Sequence, residues 1–153
     1  YVDGFRRLAV REAYRAMAYE ILQSLGEVPL GAFITSVTTG GTFRTVSAEL
    51  LAERPTMIVG GIHILENEFT SPDLPDGVEA TTLADTWALR DEIARNEGVL
   101  LGPKGAACVR LALRLQQQLP ADHAIVALNP DAGHRYLGWE DKTLFKATKF
   151  EGI

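Results

Sequence analysis

The alternation of short apolar runs with amphipathic segments is the feature that most constrains this fold. Apolar residues recur at spacings of three and four over residues 10–25, which is typical of an amphipathic helix, and Gly26 ends it. A β-branched apolar run over 31–37 then predicts a buried strand followed by a glycine turn. The same alternation predicts these further elements: a helix from Phe43 to Arg54, a strand over 57–62, a helix capped by Asp85 that runs through Ala94 and ends before Gly98, a helix over 103–118, and a strand over 123–128.

Strands that alternate with helices predict a mostly parallel sheet with helices packed on its faces. The predicted fold is therefore α/β, with three α/β/α layers. Residues 66–77, which are rich in Pro, Asp and Ser, are predicted to form a long surface loop, and no repeat or linker divides the chain into more than one domain over 1–153. Because ligands gather at the carboxyl ends of parallel strands, we expect the functional site at the loops over residues 38–42 and 129–136.

Composition and charge exclude several classes of function. The single Cys108 cannot form an internal disulfide, and no cluster of Cys and His has metal-ligand spacing, so we predict no metal. The net charge of −5, with Lys and Arg scattered, offers nucleic acid no basic surface. No apolar run approaches the about 20 residues of a membrane helix. We predict a cytoplasmic protein with no membrane partner. Its first residue, Tyr1 rather than Met, suggests a processed product or a piece of a longer protein.

The glycine turn after the first predicted strand has the composition of a phosphate-binding loop. Its glycines let the backbone approach a ligand closely, while three hydroxyl groups and the start of the next helix add hydrogen-bond donors and a positive dipole end. The loop is neither a nucleotide P-loop nor a Rossmann fingerprint, so a smaller phosphate group fits it better. Alternatively, it is a tight turn in which the threonines cap the helix. Its residues are Thr38, Thr39, Gly40, Gly41 and Thr42.

Three motifs in order resemble the carboxy-terminal half of fold-type II pyridoxal-phosphate enzymes, which include cysteine synthase, cystathionine β-synthase, threonine synthase and threonine dehydratase. They are Gly-Gly-Thr at 40–42, Glu-Gly-Val-Leu-Leu-Gly at 97–102, and Pro-Asp-Ala-Gly-His-Arg-Tyr-Leu at 130–137. Residues 18–21 are more similar to the threonine enzymes, and residues 130–137 to cysteine synthase. The resemblance covers residues 13–137 and implies a domain like that of the tryptophan synthase β-subunit.

The resemblance implies a binding site for pyridoxal 5'-phosphate. In the family, the loop that corresponds to residues 38–42 wraps the cofactor phosphate, and a Ser or Thr further along the chain hydrogen-bonds the pyridine nitrogen. That polar position falls on Lys104 in the cysteine synthase pattern and on Gly105 in the threonine synthase pattern. A Lys there would disfavour protonation of the nitrogen, and a Gly would leave it without a partner, unless Lys104 simply points to solvent. Thr38 also departs from the usual Gly, which requires that its φ not be positive.

The resemblance also implies that no catalytic residue lies in this chain. Family members carry the Schiff-base Lys in an earlier half, whereas the lysines here, Lys104, Lys142, Lys146 and Lys149, do not lie in that motif. We therefore expect part of an enzyme that acts on a small amino acid by β-elimination, β-replacement or related lyase or synthase chemistry. The chain alone would be inactive and would need the missing half or a second chain.

Two other classes of function remain open on the sequence. One is a non-catalytic ligand-binding or regulatory domain derived from the same family, which the altered segment around Lys104 favours. The other is an assembly module, since the apolar residues Phe5, Leu8 and Phe150 are candidates for a homo-oligomer surface.

Several single residues have alternative interpretations. His63, near the end of the second apolar run, is either a binding residue or a structural imidazole with its hydrogen bonds satisfied. Cys108 fits a small buried hydrophobe better than a nucleophile. Asp131 is expected to form a turn. A hydrolase that combines Ser36 or Ser47 with His134 and Asp131 is disfavoured, because no Gly-x-Ser-x-Gly elbow is present.

Overall fold

The computed structural model describes residues 8–67, 74–75 and 77–138, and their side chains from residue 12 onward. Its strands form a four-stranded sheet in the order β3-β2-β1-β4, and every neighbouring pair is parallel. The elements in chain order are α1 (Leu8–Leu25), β1 (Leu30–Ser36), α2 (Gly41–Glu53), β2 (Ile58–Ile64), β3 (Val78–Thr81), α3 (Leu83–Glu97), α4 (Pro103–Gln116), β4 (Ala124–Ala127) and a 3-10 helix (Gly133–Tyr136).

Two apolar clusters lie on opposite faces of the sheet. Successive residues of β1 alternate between them, so that Phe33 packs with Val46 and Leu50 of α2, while Ile34 packs with Leu111 of α4. Helix α1 adds to the first cluster through Ala18, and α3 packs on α4 on the second face. The predicted three-layer α/β/α fold is therefore confirmed, with α1 and α2 on one face and α3 and α4 on the other.

Two short elements and one helix start were not predicted from the sequence. Strand β3 follows the predicted surface loop directly, and the 3-10 helix lies within the segment after β4. The predicted cap at Asp85 is wrong. Thr82 is the N-cap of α3, because its backbone is extended and its hydroxyl accepts a hydrogen bond from the Asp85 N–H at 3.1 Å.

Some sequence predictions concern residues outside the described ranges. Phe5, Phe150 and the lysines Lys142, Lys146 and Lys149 lie outside them, as does the side chain of Leu8. Among the helices that the structure describes, none combines the length and apolar character that a membrane crossing requires.

Candidate phosphate-binding site

The loops after β1 and β4 lie side by side at the carboxyl edge of the sheet. The two strands are parallel neighbours, and the pairing continues past β4, where the Leu128 N–H donates to the Ile34 carbonyl at 2.8 Å. Helix α2 leaves β1 over one face, whereas α4, which leads into β4, lies on the opposite face. In sheets with helices on both faces, ligands usually bind in the crevice outside the carboxyl ends of the strands.

The loop at residues 38–42 has its one left-handed residue at Gly40, where φ is +83°. No non-glycine residue of the described chain has a positive φ, so Thr38 fits where cysteine synthases usually have Gly. Gly40 is also the N-cap of α2, and no side chain donates or accepts a capping hydrogen bond there. The interpretation of this loop as a turn capped by threonines is therefore wrong.

The backbone N–H groups of this loop have no acceptor among the described residues. Val37 N–H still pairs with the Ile62 carbonyl at 2.7 Å, and Arg44 N–H pairs with the Gly40 carbonyl at 2.9 Å. Between them, across residues 38–43, no backbone N–H donates to a protein acceptor in the described part of the chain. A series of unpaired amides that leads into a helix N-terminus is a ready anion site, so the loop fits a phosphate group.

The start of α4 is fixed against the segment after β4. Gly102 N–H donates to the Asp131 carbonyl at 3.0 Å, and Gly133 N–H donates to the Leu100 carbonyl at 2.9 Å, on either side of an antiparallel bridge between Leu101 and Ala132. A Cβ on Gly102 would overlap Asp131, and one on Gly133 would overlap the Leu101 carbonyl. These glycines allow two backbone segments to meet at the crevice.

Lys104 and Gly105 occupy different environments on α4. Lys104 is the second residue of the helix, is partly exposed, and has no hydrogen bond or ion pair with another described residue. Gly105 is buried, and a Cβ there would overlap the side-chain oxygen of Asn129. A hydroxyl-bearing residue at position 105 would therefore displace Asn129, a contact that the sequence did not suggest. The binding roles of Lys104 and Gly105 stay predictions.

A chain of side-chain contacts anchors the segment after β4 to α3. Tyr136 donates to the Asp131 carboxylate at 2.5 Å, and its ring meets Trp87 edge to face at 6.0 Å between centroids. The Arg90 guanidinium lies 4.3 Å from the centre of the Trp87 ring. Burial and the neighbouring Asp131 raise the pKa of Tyr136 to about 12, so its hydroxyl remains a donor at neutral pH. Asp131 therefore positions the loop, rather than orienting His134 in a hydrolase triad.

The structure confirms the expectation from sequence for Cys108 and contradicts the one for His63. Burial raises the pKa of the Cys108 thiol to about 12, which keeps it protonated and excludes it as a nucleophile at neutral pH. The expectation of a small buried residue is confirmed. His63 lies within β2, and its Nδ1 is buried with no hydrogen-bond partner among the described residues. Within that part of the chain, the interpretation of His63 as a structural imidazole with its hydrogen bonds satisfied is wrong.

Solved structures of two synthases share this fold. O-ureido-L-serine synthase superposes with a TM-score of 0.76 at 24% identity, over 97% of this chain and 53% of that one. An O-acetylserine dependent cystathionine β-synthase from Helicobacter pylori gives a TM-score of 0.71 at 24% identity, over 84% of this chain and 49% of that one. These likenesses establish the fold.

Curated proteins that are similar to this chain include synthases of known name. A probable cysteine synthase of Bacillus subtilis is 30% identical over an alignment of 161 positions, which covers 87% of this chain and 51% of that protein. The O-ureido-L-serine synthase of Streptomyces lavendulae is 27% identical over 78% of this chain and 44% of its own length. No family model matches the chain. The chain spans about half the length of the curated relatives it matches.

Fold and relatives together confirm the resemblance in the sequence: the chain belongs to the fold-type II pyridoxal-phosphate enzymes. Within that family its relatives include cysteine synthases and an O-ureido-L-serine synthase. Enzymes of this kind depend on pyridoxal phosphate.

Proposed function

We propose that this chain is the cofactor-phosphate-binding part of a pyridoxal-phosphate enzyme that acts on a small amino acid, a serine derivative, by β-elimination or β-replacement. The observation that carries the proposal is the series of unpaired amides at residues 38–43, arranged around the left-handed Gly40 at the carboxyl edge of the sheet. The names of the relatives supply the substrate class, since they include cysteine synthases and an O-ureido-L-serine synthase.

Pyridoxal phosphate, when bound, draws electrons from the Cα of an amino acid, so that a proton and a β-substituent can leave. The part of this chain is to hold and orient that group. Amides of the loop donate to the phosphate, and the hydroxyls of Thr38, Thr39 and Thr42 add further donors. Under this proposal Lys104 and Gly105, at the start of α4, border the ring of the cofactor. The fixed segment around Asp131 keeps that side of the crevice rigid.

The reactive Lys is supplied, in this proposal, by the missing half or by a second chain. This follows from the short span of the chain relative to its relatives and from the resemblance, which places that Lys in an earlier half of the family sequence. A cytoplasmic location, a single domain over the whole chain and assembly into homo-oligomers belong to the same proposal.

A second candidate function is a non-catalytic domain that binds a phosphate compound. The contact between Gly105 and Asn129 favours it, because the family places a hydroxyl in this region to meet the pyridine nitrogen. Such a domain would keep the phosphate loop while lacking a group that selects the cofactor ring.

Calorimetric titration of the full chain separates these candidates. With pyridoxal 5'-phosphate, inorganic phosphate and unphosphorylated pyridoxal as ligands, the enzyme proposal predicts that the cofactor binds at least about tenfold tighter than phosphate, because its ring makes contacts that phosphate lacks. Pyridoxal should bind weakest, since it lacks the phosphate and each hydrogen bond to a charged group contributes about 1.5–3 kcal/mol. Equal affinity for the cofactor and for phosphate would favour the non-catalytic domain. Absence of binding by both phosphate compounds would contradict both candidates.

A further inference from the structure

His63 lies at the carboxyl end of β2, on the face of the sheet that α2 covers. The register pairs Ser36 with Ile62, which sets His63 beside Val37, the residue that leads into the phosphate loop. Side chains alternate along a strand, so Gly61 shares the face of His63. A Cβ on Gly61 would contact Phe43 of α2 and Val37, which identifies this as the face under α2.

The same geometry places His63 next to the loop. Two residues of strand, from Gly61 to His63, advance about 6.6 Å toward the carboxyl edge. Gly61 already lies beside Phe43, the third residue of α2, so His63 lies further toward the end of the sheet from which the loop at residues 38–42 leaves. The Val37 N–H donates to the Ile62 carbonyl, which holds the residue before His63 against the residue before Thr38.

Among the residues that the structure describes, the surroundings of His63 offer its Nδ1 no partner. That atom is buried and has no hydrogen bond to any of them. On the same face its neighbours across the sheet are Val37 and, on β3, Ala80, neither of which has a side-chain polar group. A buried polar atom without a partner requires an explanation, and the binding of a ligand by that atom is one. The amides at residues 38–43, in the loop that follows Val37, also have no acceptor among the described residues.

We propose that His63 is a further ligand of the anion held by the phosphate loop, with its Nδ1–H donating to a phosphate oxygen. This inference rests on the proposed function, because it requires a phosphate in the loop. A phosphate monoester has several strong acceptor oxygens, so the amides can bind it from the side of α2 while the imidazole binds it from the side of the sheet. One bound group would then satisfy both sets of unpaired donors.

The test measures the affinity of the full chain for pyridoxal 5'-phosphate and for inorganic phosphate in three variants. His63→Ala removes the donor, and His63→Asn retains an N–H donor close to the position of Nδ1. His134→Ala, in the exposed 3-10 helix, is the matched control. We expect His63→Ala to weaken both ligands by about tenfold or more, and His63→Asn to recover most of that loss. His134→Ala should change neither affinity, and thermal unfolding verifies that each variant is folded.

A direct readout comes from the histidine ring itself. In the chain labelled with ¹⁵N-histidine, saturation with inorganic phosphate should shift the Nδ1 resonance of His63. If the unaltered chain binds phosphate while His63→Ala binds equally well and the Nδ1 resonance does not move, the inference is overturned and the proposed function stands. If the unaltered chain binds neither phosphate compound, the proposed function fails and this inference fails with it.

Discussion

Replacing Gly133 with Ala is expected to lower the free energy of unfolding by about 2–3 kcal/mol, because an added methyl group would be forced into a packed backbone contact. The Cβ of the new residue would overlap the carbonyl of Leu101, which is main chain and cannot rotate away. The clash would separate the start of α4 from the segment that contains Asp131. Urea unfolding monitored by circular dichroism measures the change.

The matched control for this substitution is Gly98→Ala. Gly98 has a φ of +69° but has no atom within 4 Å of an added Cβ, so only backbone strain is expected, at about 1 kcal/mol. Gly133→Ala should also alter the near-ultraviolet signal of Trp87, because Tyr136 contacts that ring, whereas Gly98→Ala should not. Equal destabilisation by the two substitutions, with no change at Trp87, would show that the contact between Gly133 and Leu101 is not tight.

Replacing Gly40 with Val is expected to weaken binding of inorganic phosphate and of pyridoxal 5'-phosphate by about a hundredfold, equivalent to the loss of one or two hydrogen bonds to a charged group. At a φ of +83° a β-branched residue is strained, and the backbone relieves this strain by rotating out of the left-handed region. That rotation turns the neighbouring amides away from a common centre. Calorimetric titration of the full chain measures the loss.

The control for the loop is Gly26→Val, the same substitution at another left-handed glycine. Gly26 ends α1, has a φ of +54°, and has no atom within 4 Å of an added Cβ. This substitution should lower the free energy of unfolding by an amount similar to that for Gly40→Val, while leaving phosphate affinity unchanged. If Gly40→Val binds phosphate as tightly as Gly26→Val does, the geometry of the loop is not what holds the anion.

Periodic patterns in the sequence predicted the helices and the longer strands because burial on one face imposes those patterns. The alternation of Phe33 and Ile34 between two apolar clusters is the reason that β1 carries no polar side chain from Leu30 to Ile34. Strand β3 has four residues and follows a segment rich in Pro and Asp. Four residues are too few to show the apolar pattern that identifies a strand in a sequence. The start of α3 was misplaced because Thr82 and Asp85 are both good caps, and only the backbone conformation distinguishes them.

The candidate site was predicted in composition but not in its contacts. Glycines and hydroxyls at residues 38–42 are visible in the sequence, since an anion loop requires them locally. The relation of His63 to that loop depends on the register between β1 and β2, which a single sequence does not encode in any short pattern. The approach of Asn129 to Gly105 likewise joins segments that are distant in sequence, and it shows why a small residue stands at position 105.

We propose that the amides between β1 and α2 bind a phosphate monoester. Amide ¹H–¹⁵N spectra of the full chain, recorded during titration with pyridoxal 5'-phosphate, test it most directly. We predict that the largest shifts belong to residues 38–43 and that inorganic phosphate reproduces them. Shifts confined to other segments, with the amides of residues 38–43 unmoved at saturation, would contradict the account.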